Sequence, residues 1–351
     1  MQRIAFLGCG RVTEHHTKFF TDGSIVGAQV THVCDIDQEK ANVIGGQLNA
    51  VVETDYNKLL QNPDIDVISI LTESGNHGVH ARQALEAGKH VIVEKPAALT
   101  PKEILDNEKL AAEKGLMYAV IKQNRFNPAV RTLKKAQEEG RFGKIVTGTI
   151  RLRWCRYQSY YEDGWHGTWK MDGGVINQQA IHHIDVLQWV CGPIDSVVCA
   201  QENAVNELEA EDTTVAVVRF KNGALGTIEA TTAARPDDFE ASVSIVGDGG
   251  SAVVGGIALN KIDLWHFVKE QEKDKTIPQN MSQEVPTGYG LSHGPFLQEI
   301  INELNSGGIM PPVTGSDAVE SVKIIHALYK SQEDGTWVKL DDNPISSNLG
   351  I

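Results

Sequence analysis

The first third of the chain alternates short apolar runs with helix-patterned stretches, and few folds satisfy that alternation. Runs at 4–7, 29–34, 67–71 and 90–93 are rich in Val and Ile and short enough for buried strands. Helical patterns fill 12–20, 38–48, 77–87 and 101–114. The last opens Thr100-Pro101, an N-cap threonine with proline at the first helical position, and Gly88 and Gly115 stand where C-terminal caps favour glycine. Such alternation implies a parallel sheet with helices on both faces. A further strand over 117–122 completes a doubly wound sheet of the dinucleotide-binding type.

The pattern changes near residue 123. A helix over 128–139 leads into an apolar run at 145–154, an aromatic-rich loop and a single helix over 175–190. From 213 to 267 the chain is β-rich, with Asn222-Gly223 marking a hairpin, and helices over 295–305 and 316–331 close it. The expected fold is α/β: an N-terminal Rossmann dinucleotide-binding domain over 1–122, then an α+β domain over 123–351 with a large, mostly antiparallel open sheet. A length of 351 residues accommodates both. The formal charge of −14 argues against nucleic acid and anionic membrane surfaces as partners. No apolar run approaches the roughly 18 residues of a membrane span. Five scattered cysteines without a CxxC pair argue against a disulfide framework or a zinc site, so no metal is expected and a reducing cytoplasm fits. The charged stretch 269–275 reads as a solvated loop.

Gly8-Cys9-Gly10-Arg11-Val12 follows the first strand and opens the first helix. Glycines there permit a tight turn and let backbone N–H groups approach a pyrophosphate at the positive end of the helix. The third glycine of the fingerprint is replaced by Thr13, so an ordinary βα turn is the competing reading. Asp35 closes the second strand 25 positions after Gly10, where an acid binds ribose hydroxyls and repels a 2′-phosphate. NAD is the expected cofactor, although Asp35 or Asp37 could equally cap the next helix.

The string from Ala84 through Glu94-Lys95-Pro96 resembles the signature of the Gfo/Idh/MocA oxidoreductases. The resemblance extends through Arg125-Phe126-Asn127-Pro128, Gly140 to Lys144, Gly173-Gly174 with His182 and Asp185, and Pro311 to Gly315. It implies hydride transfer between a sugar-like carbinol carbon and NAD(P), with substrate and often subunit contacts on the second domain, hence a homodimer or homotetramer. It also implies a cis bond before Pro96. By the resemblance, Gly8, Gly10, Arg11, Val12, Asp35, Ile36, Thr72, Ser74, His77, Glu94, Lys95 and Gln123 meet the cofactor. The turn after the fourth strand departs from the family pattern, with Glu73 in place of a proline.

Lys95 and His182 are the expected catalytic pair. An ammonium stabilises developing alkoxide charge, and an imidazole takes up the hydroxyl proton. His183 is the competing base, and Asp185 is read as a possible anchor for a histidine. Gln178 precedes His182 by four residues on the expected helix, where many relatives carry an aspartate. A neutral amide holds no charge, so Gln178 is expected to orient substrate through hydrogen bonds.

Trp154, Tyr157, Tyr160, Tyr161, Trp165 and Trp169 lie within 16 positions, with Arg151, Arg153, Arg156 and Lys170 among or beside them. Rings with cations suit a nucleotide-sugar, and a hydrophobic flap or subunit interface is the alternative. The expected substrate contacts are Lys95, Arg153, Tyr160, Trp165, Gln178 and His182. Local strings around Lys122 to Pro128 and Trp154-Cys155-Arg156 resemble the branch that oxidises the 3-hydroxyl of UDP-N-acetylglucosaminuronate for surface polysaccharides. An inositol or simple sugar dehydrogenase is the alternative, and a non-catalytic NAD-binding regulator a third.

Overall fold

A computed structural model describes all 351 residues. The strands in chain order are β1 (Gln2–Leu7), β2 (Ala28–Cys34), β3 (Val51–Glu53), β4 (Val67–Ile70), β5 (His90–Val93) and β6 (Tyr118–Val120). There follow β7 (Ile145–Arg153), β8 (Ile194–Glu202), β9 (Thr213–Phe220), β10 (Leu225–Thr231), β11 (Glu240–Gly247), β12 (Gly250–Gly255), β13 (Lys261–Phe267) and β14 (Val338–Lys339). The helices are α1 (Arg11–Thr21), α2 (Gln38–Leu48), α3 (Tyr56–Gln61), α4 (His77–Glu86), α5 (Pro101–Lys114) and α6 (Pro128–Glu138). They continue as α7 (Val175–Gln178), α8 (Ile181–Cys191), α9 (Ile277–Asn280), α10 (His293–Asn305) and α11 (Gly315–Asp334).

Two compact units result. The first comprises Met1–Lys122 and Ser292–Val319, the second Gln123–Leu291 and Glu320–Ile351. The segment carrying α10 therefore belongs to the first unit, not to the second as expected from chain order. Its anchor is side-chain chemistry: Asn305 donates to the Gly27 carbonyl and Gln298 accepts from Val26 N–H.

The first unit is a six-stranded parallel sheet in the order β3-β2-β1-β4-β5-β6. β4 is buried at every residue, as a strand covered on both faces requires. β3 and α3 are additions that the hydrophobic pattern did not signal, because β3 is three residues long and has no buried position. Thr100 caps α5 by accepting Glu103 N–H, with Pro101 at its first turn and Gly115 left-handed at its end.

The second unit is an eight-stranded sheet in the order β13-β12-β11-β7-β10-β9-β8-β14. Its pairs are antiparallel except β7 with β10. β9 alternates buried and exposed residues, so one sheet face is covered and the other open. α8 lies on the covered face and is buried at nine of its eleven residues. No helix is long and apolar enough to cross a membrane.

Candidate active site

In the first unit the glycine-rich turn joins β1 to α1. Gly8 has φ +94°, and a Cβ there would lie 2.6 Å from the Leu71 carbonyl oxygen, so only glycine fits. Gly10 caps α1 without a side chain, and a Cβ there would meet nothing within 4 Å. The turn thus leaves the helix N-terminus open to an anion. Thr13 takes the third glycine's place by turning its hydroxyl back to the Gly8 carbonyl at 2.8 Å. Arg11 and Val12 follow in the first turn of α1.

Asp35 closes β2, accepting Cys9 N–H on one oxygen at 2.7 Å and Asp37 N–H on the other at 2.8 Å. Asp37, not Asp35, caps α2. Each Asp35 oxygen retains acceptor capacity for a ribose hydroxyl. Ile36, 91% exposed, offers an apolar face beside it. An open helix end, an acid at the strand end and an exposed apolar residue fit a dinucleotide.

Lys95 follows β5, and the Lys95–Pro96 peptide is cis. Glu94 is buried and turned inward. Its Oε1 lies 3.0 Å from His16 Nε2 and 3.6 Å from His293 Nε2, and its Oε2 accepts Lys95 N–H at 3.1 Å. Burial alone would raise this carboxyl, but the two imidazoles hold it well below the usual carboxylate range. His77 is likewise internal: Nδ1 sits 2.7 Å from the Pro96 carbonyl and Nε2 2.9 Å from that of Thr72. It buttresses the Lys95–Pro96 turn, and both ring nitrogens face backbone carbonyls. Thr72 Oγ1 bonds His80 Nδ1, and Ser74 is buried at the start of the following turn.

In the second unit the expected continuous helix breaks. α7 ends at Gln178 and α8 starts at Ile181, with Ala180 N–H reaching back five residues to the Val175 carbonyl. Four-residue spacing across this break no longer defines a shared face. His182 Nε2 lies 3.4 Å from the Gln123 amide nitrogen. A donor there requires Nε2 to carry the lone pair, so the proton of the neutral ring sits on Nδ1. Gln178 donates its amide N–H to Asp172 Oδ1 at 2.7 Å. His183 is 1% exposed, packs edge-on to Trp154 at 5.9 Å, and is pushed down to about 4 by burial. Asp185 grips Arg125 through two bonds of 2.8 and 2.9 Å, a buried ion pair.

The aromatic loop packs on itself. Trp165 stacks on His166 with centroids 3.6 Å apart, and Tyr160 approaches the same ring at 4.4 Å. His166 Nδ1 is 2.6 Å from Asp163, and Arg156 lies over Trp154 and Tyr160. The Arg153 guanidinium is held by Glu229 at 2.6 Å and Glu240 at 2.9 Å. Glu240 stands directly opposite Arg153 on β11 and Glu229, opposite Arg151 on β10, is its diagonal neighbour, placements that sequence order hides. His16, His293 and Asp172 were also missed. Only Asp172 carries a local signal, an acid immediately before Gly173-Gly174.

Comparison with known proteins places these features in context. The profile described as "Oxidoreductase family, NAD-binding Rossmann fold" matches residues 2–122, and "Oxidoreductase family, C-terminal alpha/beta domain" matches 134–340. A WlbA dehydrogenase from Chromobacterium violaceum, solved with NADH and UDP-GlcNAcA, is 32% identical and superposes with a TM-score of 0.89 over 96% of this chain and 95% of that one. The Bordetella pertussis WlbA dehydrogenase, solved with the same two molecules, is 32% identical with a TM-score of 0.88 over 96% and 97%. A scyllo-inositol 2-dehydrogenase (NAD(+)) from Bacillus subtilis is 25% identical over 97% of this chain and 96% of its own.

Proposed function

The chain belongs to the Gfo/Idh/MocA oxidoreductase family, as an NAD-dependent dehydrogenase of the sugar type, and from that premise we propose that it oxidises the 3-hydroxyl of UDP-N-acetylglucosaminuronate. The observation that carries this reading is the 32% identity, over 96% of the chain, to two WlbA dehydrogenases solved with NADH and UDP-GlcNAcA. The stacked Trp165 and His166 with Arg156 nearby are the kind of surface a base and a charged sugar nucleotide would use. A place in surface polysaccharide synthesis and a homo-oligomeric assembly belong to the same proposal.

Bound NAD supplies the hydride acceptor. The open N-terminus of α1 and Asp35 hold the dinucleotide, and Lys95 provides an ammonium that stabilises developing alkoxide charge on the substrate oxygen. His182 is the base that takes the hydroxyl proton. Gln178 supplies a hydrogen bond to the substrate.

The 25% identity to the scyllo-inositol dehydrogenase supports a second reading, an inositol or simple sugar dehydrogenase. Steady-state NADH formation from UDP-GlcNAcA, scyllo-inositol and myo-inositol separates the two. The nucleotide-sugar is expected to lead in kcat/KM by at least about a hundredfold, since a site built for polar groups discriminates strongly against ligands lacking them. Preference for either inositol replaces the first reading with the second.

A further inference from the structure

Asp172 lies in the turn just before Gly173-Gly174. Its Oδ2 accepts Gly167 N–H at 3.1 Å, and its Oδ1 accepts the Gln178 amide at 2.7 Å. Both bonds are buried. A carboxylate accepts and does not donate, so it fixes which end of the amide faces it. One N–H of Gln178 is committed to Asp172, which fixes the orientation of the amide and places its carbonyl oxygen on the opposite branch.

The frame around this pair is rigid. Asn177 donates to the Asp172 carbonyl, and Asp172 N–H bonds the Thr168 carbonyl at 3.0 Å. The N-terminus of α7 is gripped by Glu211, whose carbonyl accepts Val175 N–H at 2.9 Å and whose Oε1 accepts Ile176 N–H at 3.1 Å. The Tyr329 hydroxyl bonds both the same Glu211 oxygen and Gly174 N–H. Gly174 must be glycine, because a Cβ there would lie 2.2 Å from Glu211. α7 is therefore held at its start by Glu211 and at its end by Asp172.

We propose that Asp172 is a positioning residue that locks Gln178 as an acceptor, so that this corner of the site selects a hydroxyl or N–H donor on the substrate and disfavours a carboxylate. The inference rests on the reading of Gln178 as a substrate contact. It adds a specificity rule, namely that the group Gln178 meets must donate.

The test uses the full-length protein with NAD as wild type, Asp172→Asn, Gln178→Glu and the double variant, all nearly isosteric. Gln178→Glu sets two carboxylates against each other, which can coexist at this separation only by sharing a proton. The double variant restores a donor facing an acceptor with the polarity reversed, and still presents an accepting oxygen. The assay uses UDP-GlcNAcA or scyllo-inositol, whichever the wild type oxidises better. Gln178→Glu is expected to lose kcat/KM progressively with rising pH, by about tenfold at pH 8, and the double variant to recover most of that loss. Losses in the double variant equal to the product of the single losses overturn the positioning role. A second readout needs no substrate: exchange of the Gln178 side-chain amide protons, followed by NMR, is expected to be slow in the wild type and fast in Asp172→Asn. Fast exchange in the wild type overturns the clamp. Oxidation of scyllo-inositol alone overturns the nucleotide-sugar reading and leaves the clamp to be decided by the exchange rates.

Discussion

Glu94 and Glu211 are buried carboxyls in different units, each 4% exposed, and their protonation is pushed in opposite directions. Glu94 faces two imidazoles and is held well below the usual carboxylate range. Burial pushes Glu211 up to about 8, because its main partners, Ile176 N–H and the Tyr329 hydroxyl, are neutral and Asp172 adds like charge. Equal burial with opposite outcomes shows that partners, and not depth, set the charge of a buried acid. The first unit keeps an anion behind Lys95, whereas the second keeps a neutral carboxyl beneath α7.

The largest expected loss of stability comes from removing the anion. Glu94→Gln leaves His16 and His293 facing an uncharged amide and puts a nitrogen where Lys95 N–H or an imidazole donates. Losing a hydrogen bond made to a buried charge costs about 1.5–3 kcal/mol, and Glu94 makes more than one. Denaturant unfolding should show that drop, and kcat should fall with it because Glu94 anchors the Lys95 backbone. A variant as stable as wild type would remove the distinction between the two acids.

A smaller loss is expected from His293→Phe, which keeps a ring but deletes one imidazole facing Glu94. The depressed carboxyl should then move upward. A group depressed in the folded state contributes stability that is present above its unfolded value and lost as pH falls through the folded one. Acid unfolding of His293→Phe should therefore begin at higher pH than in wild type, with about 1–3 kcal/mol lost at neutral pH. An unchanged acid midpoint would assign the depression to His16 alone.

The parts of this comparison visible in the sequence are those written in contiguous residues. The alternation of runs, Gly8-Cys9-Gly10 and Glu94-Lys95-Pro96 all lie within single turns, and the order of the parallel strands follows from right-handed crossovers. His293 reaches Glu94 across some 200 residues, and Arg153 meets Glu229 and Glu240 through sheet register. Neither leaves a local pattern. The break between α7 and α8 was hidden for another reason: residues 175–190 carry good helical spacing throughout. The interruption comes from Glu211 and Asp172 gripping the short α7 at both ends.

The effect whose sign is least intuitive is that of Glu211. Glu211 is an acid with a folded value of about 8, raised by burial from an ordinary 4.5. Between those values the unfolded chain has released this proton while the folded chain keeps it, so the unfolded state binds fewer protons and stability falls as pH rises. The slope contributed is at most about 1.4 kcal/mol per pH unit. Above about 8 both states are ionised and the slope vanishes. Glu211→Gln cannot titrate, so the variant should gain on wild type steadily from about pH 5 to pH 8 and then run parallel to it. Other buried groups, such as His183 at about 4, are present in both proteins and cancel in the difference. The measurement is the stability difference between the two proteins by denaturant unfolding from pH 4 to pH 9. A difference that stays flat across that window would mean that Glu211 is ionised like Glu94, and that the two units treat a buried carboxyl alike.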